Sequence, residues 1–173
     1  MDNKRLVLDL LERWKVDFPK RKATVERYLA EAGQTGAYDL AIDLPEKVTD
    51  LATFTTSTRQ PLSPMLEARF EFCGTWKEGG TIWLGAREIE LKTHSRPVLK
   101  THRSLRKHWD GSASMIYRDD QLSLFGISED LPENITYLVW IGQSEPEIWS
   151  YHGMESYKHH DFAAYLQWLI KGF

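Results

Sequence analysis

The chain has only one cysteine, Cys73, so no internal disulfide can form and its 173 residues must be held by a packed core. It has no apolar run near the ~20 residues a membrane span requires, the nearest candidate being Ile135 to Ile141. No charged-then-apolar leader opens it, so a cytoplasmic location is expected. Two further absences concern charge. Lys92 to His108 contains no acid, and Asp119 to Tyr157, 39 residues with eight carboxylates, contains no Lys or Arg. A net charge of -3 argues against a general nucleic-acid binder, yet it conceals these two opposed segments. Internal repeats and low-complexity tracts are missing as well. Gly79-Gly80 and Gly85 match neither the dinucleotide-binding nor the P-loop pattern and are not expected to lead into a helix, which speaks against nucleotide binding.

What is present reads as a single α+β domain, residues 1–36 forming a helical hairpin and 37–173 the core. Leu6, Val7, Leu10, Leu11 and Trp14 share one helical face over about Asn3 to Trp14. Pro19 interrupts, and a second helix, Ala23 to Ala32, should turn Val25, Tyr28, Leu29 and Ala32 inward before Gly33. Pro45, with Leu44, Val48, Leu51 and Phe54 at helical spacing, predicts a third helix. Thr53 to Pro64 reads as a loop. Leu66, Ala68, Phe70 and Phe72 alternate with Glu67, Arg69, Glu71 and Cys73, as in a half-buried strand. A turn at Glu78-Gly79-Gly80, a strand Thr81 to Leu84 and another at Ile89 to Leu91 would continue an antiparallel meander. Ser104 to Trp109 spells one or two helical turns, ended by Asp110-Gly111. Gln121 to Ile127, Thr136 to Ile141 and Glu147 to Tyr151 read as three strands. Asp161 is a suitable N-cap for a last helix burying Phe162, Tyr165, Leu166, Leu169 and Ile170.

Three groupings could carry chemistry, and each has a plainer reading. His152, His159, His160 and Asp161 lack a metal-ligand spacing and read as surface and helix-start residues. Cys73 has no base tied to it and reads as an inert strand thiol. Glu145 with Glu147, and Asp119 with Asp120, could act as acid and base only in two different environments, whereas both pairs fall in turn-like, exposed sequence. No catalytic, cofactor-binding or metal-ligating residue is therefore assigned.

The acidic segment carries Tyr137, Trp140, Trp149, Tyr151 and Tyr157 among its carboxylates, a composition of interfaces as well as of cores. As a contact surface it would place Trp140, Trp149, Tyr151 and Tyr157 as anchors and Asp119, Asp120, Glu145, Glu147 and Glu155 as charge partners around them. Because alternate residues of a strand face opposite ways, at least one of these groups belongs to the core instead. The basic segment, with Lys92, Arg96, Lys100, Arg103, Arg106 and Lys107, could hold a phosphate backbone, but it has few aromatics to stack bases before Trp109. Its plainer reading is a solvated basic face.

The C-terminal third, Tyr137-Leu138-Val139-Trp140, the turn Ser144-Glu145-Pro146-Glu147, the strand Ile148-Trp149-Ser150-Tyr151 and the segment Phe162 to Ile170, resembles the end of SUKH-superfamily domains. Leu44-Pro45 followed by Val48, Leu51 and Phe54 is similar to that family's early Leu-Pro helix, although Thr55-Thr56-Ser57-Thr58 replaces the usual Asn-Gly-Gly-like turn. The resemblance spans residues 44–173. It implies a non-enzymatic immunity protein that neutralises a cognate bacterial toxin, such as a nuclease with a basic cleft, through the acidic aromatic surface. A nucleic-acid-associated protein using residues 92–108, or an enzyme without a recognisable motif, are the alternatives.

Overall fold

The computed structural model describes residues 2–129, 134–153 and 155–172. Helix α1, Asn3–Val16, starts where the Asp2 carboxylate accepts the Lys4 backbone N–H at 3.0 Å, and it buries Val7, Leu11 and Trp14 as the spacing predicts. Pro19 begins the next helix instead of interrupting. It lies in the first turn of α2, Phe18–Glu31, where a missing N–H costs no intrahelical bond. The expected inward face of α2 is a correction too: Tyr28 and Ala32 are exposed, Val25 and Leu29 half-buried, and the buried residue is Arg21. Gly33 ends the helix with φ +69°, the left-handed geometry expected of it.

Residues 44–54 form no helix. The Glu46 backbone N–H donates to the Phe70 carbonyl at 2.9 Å and its carboxylate accepts the Ala86 N–H at 2.6 Å, so the segment is pinned as extended chain between two helices. Three short strands follow one another here, β1 Leu40–Ile42, β2 Asp50–Ala52 and β3 Arg59–Pro61, with β2, in the expected third helix, and β3, in the expected loop, pairing as a separate ribbon.

The alternating segment from Leu66 is α-helical. α3, Pro64–Phe72, is capped by Ser63 and has Pro64 in its first turn. It packs against α1 and the last helix, α7 (Phe162–Lys171), and buries Met65, Leu66, Ala68, Arg69 and Phe70, so no polar stripe marks its period. Ile89 to Leu91 is likewise helical, within α4, Ala86–Thr93, and Gly85 is the N-cap, so this glycine does lead into a helix. α5 runs over Arg96–His108, well beyond the expected one or two turns, because Pro97 can start it and Val98, Thr101, His102 and Leu105 form its buried face. α6, Ala113–Ile116, and a 3₁₀ turn at Asp119–Gln121 lead into the sheet.

That sheet is antiparallel, with order β1-β4-β5-β6-β7-β8-β9, the further strands being β4 Trp76–Glu78, β5 Thr81–Trp83, β6 Leu122–Ser128, β7 Ile135–Val139, β8 Glu147–His152 and β9 Glu155–His159. A bulge between Leu124 and Gly126 interrupts the β6–β7 register. α7, Phe162–Lys171, closes the chain with Asp161 Oδ1 accepting the Ala164 N–H at 2.7 Å. The result is an α+β fold with helices on both faces of the sheet. Trp83, Phe125 and Phe162 pack on the α7 face, while Tyr137 and Tyr151 meet His102 and Trp109 of the α5 side on the other.

Candidate functional site

Four of the seven tryptophans, Trp14, Trp76, Trp83 and Trp168, meet at one groove of about 280 Å³ on the α7 face. Tyr38, Tyr157 and Tyr165 complete the aromatic lining. Strand geometry puts them there: Trp76 and Glu78 alternate onto one face of β4, opposite Trp83 and Thr81 of β5. From the far edge of the sheet, on the same face, β9 contributes Tyr157, packed against Trp168 at 4.8 Å between ring centroids.

The polar end of the groove is a closed network around Glu78. Its Oε1 accepts from Arg21 Nε at 2.7 Å and Tyr38 Oη at 3.0 Å, and its Oε2 from Arg21 Nη2 at 2.9 Å and Trp76 Nε1 at 3.2 Å. Arg21 gives a further bond to the Trp14 carbonyl at 2.6 Å and lies 3.6 Å over the Trp14 ring. With Arg21 3% and Glu78 6% exposed, the two charges cancel inside the protein. Burial, reinforced by the Glu78 charge, pushes the Tyr38 hydroxyl far above its usual range, so it stays a donor. A groove with aromatic walls and no net charge suits a flat or cationic side chain better than an anion. Reasoning from sequence missed most of it, since its residues come from segments spread from Trp14 to Leu169; the density of tryptophan was the available signal.

The residues assigned from sequence to one acidic surface are split by the sheet. Glu147, Trp149 and Tyr151 face α5 and α6, whereas Glu155 and Tyr157 face α7, because consecutive positions of β8 and β9 alternate. Trp149 is only 9% exposed, covered by Tyr117 and Lys158, and its Nε1 donates to Glu147 at 2.8 Å. Tyr151 is buried and donates to no partner surface: its hydroxyl accepts the Ala113 N–H at 2.7 Å, and burial pushes it up to about 12. Glu145 and Glu147, expected in exposed sequence, are buried as well. Glu145 accepts the Met65 N–H at 3.1 Å at the start of α3, and burial raises its carboxyl above the usual range. Lys158 holds Glu147 at 3.1 Å. Asp120 pairs with Arg118 at 3.0 Å, and Trp140, half-buried, donates to Ser123 Oγ at 3.0 Å. These two do share a cleft beside Gln60. Glu155 and Tyr157 remain on the accessible side, their side chains bonded to each other.

Asp119 belongs to a second buried network. His102 Nε2 lies 3.0 Å from Asp119 Oδ1 and Nδ1 lies 3.1 Å from Tyr137 Oη, with the imidazole stacked on Phe54 at 4.0 Å. Burial pulls the Asp119 carboxyl upward, but hydrogen bonds from Arg106 and His102 outweigh it and hold it below the usual range. The order carboxylate, imidazole, hydroxyl resembles a relay, yet the imidazole and Tyr137 are buried, so only its Asp119 end meets solvent. Its role is to lock α5 onto the sheet. Of the basic segment, Lys92 ends α4 and the other five cations belong to α5, with Arg106 paired to Asp119. Cys73 is buried at the C-terminus of α3 beside Arg69 Nη1, at 3.2 Å, and burial raises its thiol. Among the described residues no group of three acidic, histidine or cysteine side chains could hold a metal ion, and no helix is long and apolar enough to cross a membrane.

No family model matches the chain, and neither a curated protein nor a solved structure matches it.

Proposed function

We propose that this chain is a protein-binding module without catalytic activity, an immunity-type protein that neutralises a cognate toxin with a basic surface. The observation that carries the reading is the aromatic groove beside a free sheet edge. β9 ends the sheet, so its outer backbone groups have no strand partner among the described residues, and Tyr157 and Trp168 flank that edge, Trp168 being 36% exposed. An edge strand supplies main-chain hydrogen bonds to a partner, and partly exposed aromatics supply anchors. The SUKH resemblance of the C-terminal third supports the same reading, although residues 44–54 do not form that family's early helix, and the binding face moves from the acidic segment as a whole to its β9 end. Glu155, exposed on that strand, is the carboxylate placed to meet a basic partner.

The test is a tagged pull-down at moderate salt with a nuclease-treated control, followed by mass spectrometry. A stoichiometric basic protein should survive the nuclease, and Tyr157→Ala or Trp168→Ala should each weaken its binding by about 2 kcal/mol, roughly thirtyfold. A captured protein indifferent to both substitutions, or no captured protein, overturns the reading.

A further inference from the structure

On the opposite side of the sheet the surface chemistry is reversed. α5 carries Arg96, Lys100, Arg103, Arg106 and Lys107 and no acid. Arg106 is committed to Asp119 and the Ser114 carbonyl, whereas Arg96, Lys100, Arg103 and Lys107 make no ion pair or side-chain hydrogen bond among the described residues. Lys107, in the last turn of α5, is favoured by the helix dipole, but Arg96, in the first turn, opposes it, and neither it nor Lys100 or Arg103 is offset by a pair.

Their placement is regular. Arg96, Lys100, Ser104 and His108 recur every four residues, so they share one face of the helix in steps of about 6 Å. They form one wall of an open groove of about 950 Å³. Trp109 stands at its end, half-buried and fixed edge to face against Tyr151 at 5.3 Å, while Arg103 and Lys107 lie one position over on the same helix. Steps of this size suit successive phosphates of an extended strand, and a fixed aromatic at the end of a basic groove is the arrangement on which bases stack.

We propose that the groove along α5 is a binding site for single-stranded nucleic acid, with phosphates on Arg96, Lys100 and the Ser104 hydroxyl and a base on Trp109. An acidic polypeptide would use the same cations but leave the tryptophan unused; Asp110, at the Trp109 end of the groove, opposes either polyanion and favours a base over a phosphate at that end. A duplex would present phosphates without unstacked bases. The site lies on the sheet face opposite the aromatic groove and does not depend on the protein-binding reading.

The experiment is fluorescence anisotropy of a labelled oligothymidylate of about 12 nucleotides titrated with the whole chain over a salt series. Binding should weaken with salt, and Arg96→Ala with Lys100→Ala should reduce the slope of log K against log salt by about 1.4, or about 0.7 for each phosphate no longer neutralised. Both side chains are exposed, so this variant keeps its fold, checked by circular dichroism. Trp109→Leu should weaken binding by roughly five- to a hundredfold with the slope unchanged. The proposal is overturned by no binding at low salt, by an unchanged slope in the double variant, by an equal affinity for duplex of the same length, or by polyglutamate competing as well as the oligonucleotide.

Discussion

At the scale of single residues, the Arg21–Glu78 pair has the largest energetic consequence. Removing one member of a buried, fully bonded pair leaves an uncompensated charge, which costs about 3–5 kcal/mol. Glu78→Leu should therefore lower the stability of the protein by that amount in urea unfolding, whereas Arg21→Met with Glu78→Leu should cost clearly less than the sum of the two single changes. Gly79, next to this pair, has φ +55°, and a Cβ there would lie 2.0 Å from the Tyr38 ring, so Gly79→Ala should destabilise by displacing Tyr38 from Glu78. Glu145→Lys and Glu147→Lys should act in the same way, as folding defects and not as changes of surface charge, since both carboxylates are buried and bonded. The measurement for all of these is the urea midpoint.

Between elements, the imidazole that joins α5 to the sheet makes stability depend on pH. Burial lowers the pKa of His102 in the folded chain, outweighing the Asp119 hydrogen bond that raises it, and burial lowers His152 and His159 too. A depressed histidine means the unfolded chain binds the proton more readily, near pH 6.5. The stabilisation is therefore complete above about pH 6.5 and is lost as pH falls toward the folded-state values. Unfolding midpoints should drop between pH 7 and 5, and His102→Gln should make that drop shallower while lowering stability at pH 7, because an amide cannot span Asp119 and Tyr137 in the same geometry. At α7, Asp161→Ala removes the acceptor of the Ala164 N–H and should cost about 1 kcal/mol, again read from the urea midpoint.

For the molecule as a whole, the sheet separates two surfaces of different chemistry. One is aromatic and internally neutralised beside a free edge strand, and the other is a helix with four cations unpaired among the described residues. Sites on opposite faces with no shared side chains should behave additively. Trp168→Ala should leave oligonucleotide affinity unchanged, and Arg96→Ala with Lys100→Ala should leave protein capture unchanged; cross-titration of the two variants checks both.

Periodicity by itself determined α1 and α7, whose two sides differ; β6 to β8, buried on both faces, were marked by their β-branched and aromatic residues, and the turn before β5 by its two glycines. It identified the charge reversal between residues 92–108 and 119–157 as well. It misled where burial is symmetrical. α3 is covered by α1 and α7 and so shows apolar residues at nearly every turn, which reads as alternation; Ser63-Pro64, a capping residue and a first-turn proline, was the local signal of a helix there. β9 is short, polar and at an edge, with nothing apolar to mark it. Only the tertiary structure decided which charges are free. The carboxylates of Asp119, Asp120, Glu145 and Glu147 are held by partners up to 80 residues away in sequence, and the aromatic groove collects side chains from Trp14 to Leu169. Linear order records the sign and period of a segment, but burial and pairing depend on what the rest of the chain brings against it.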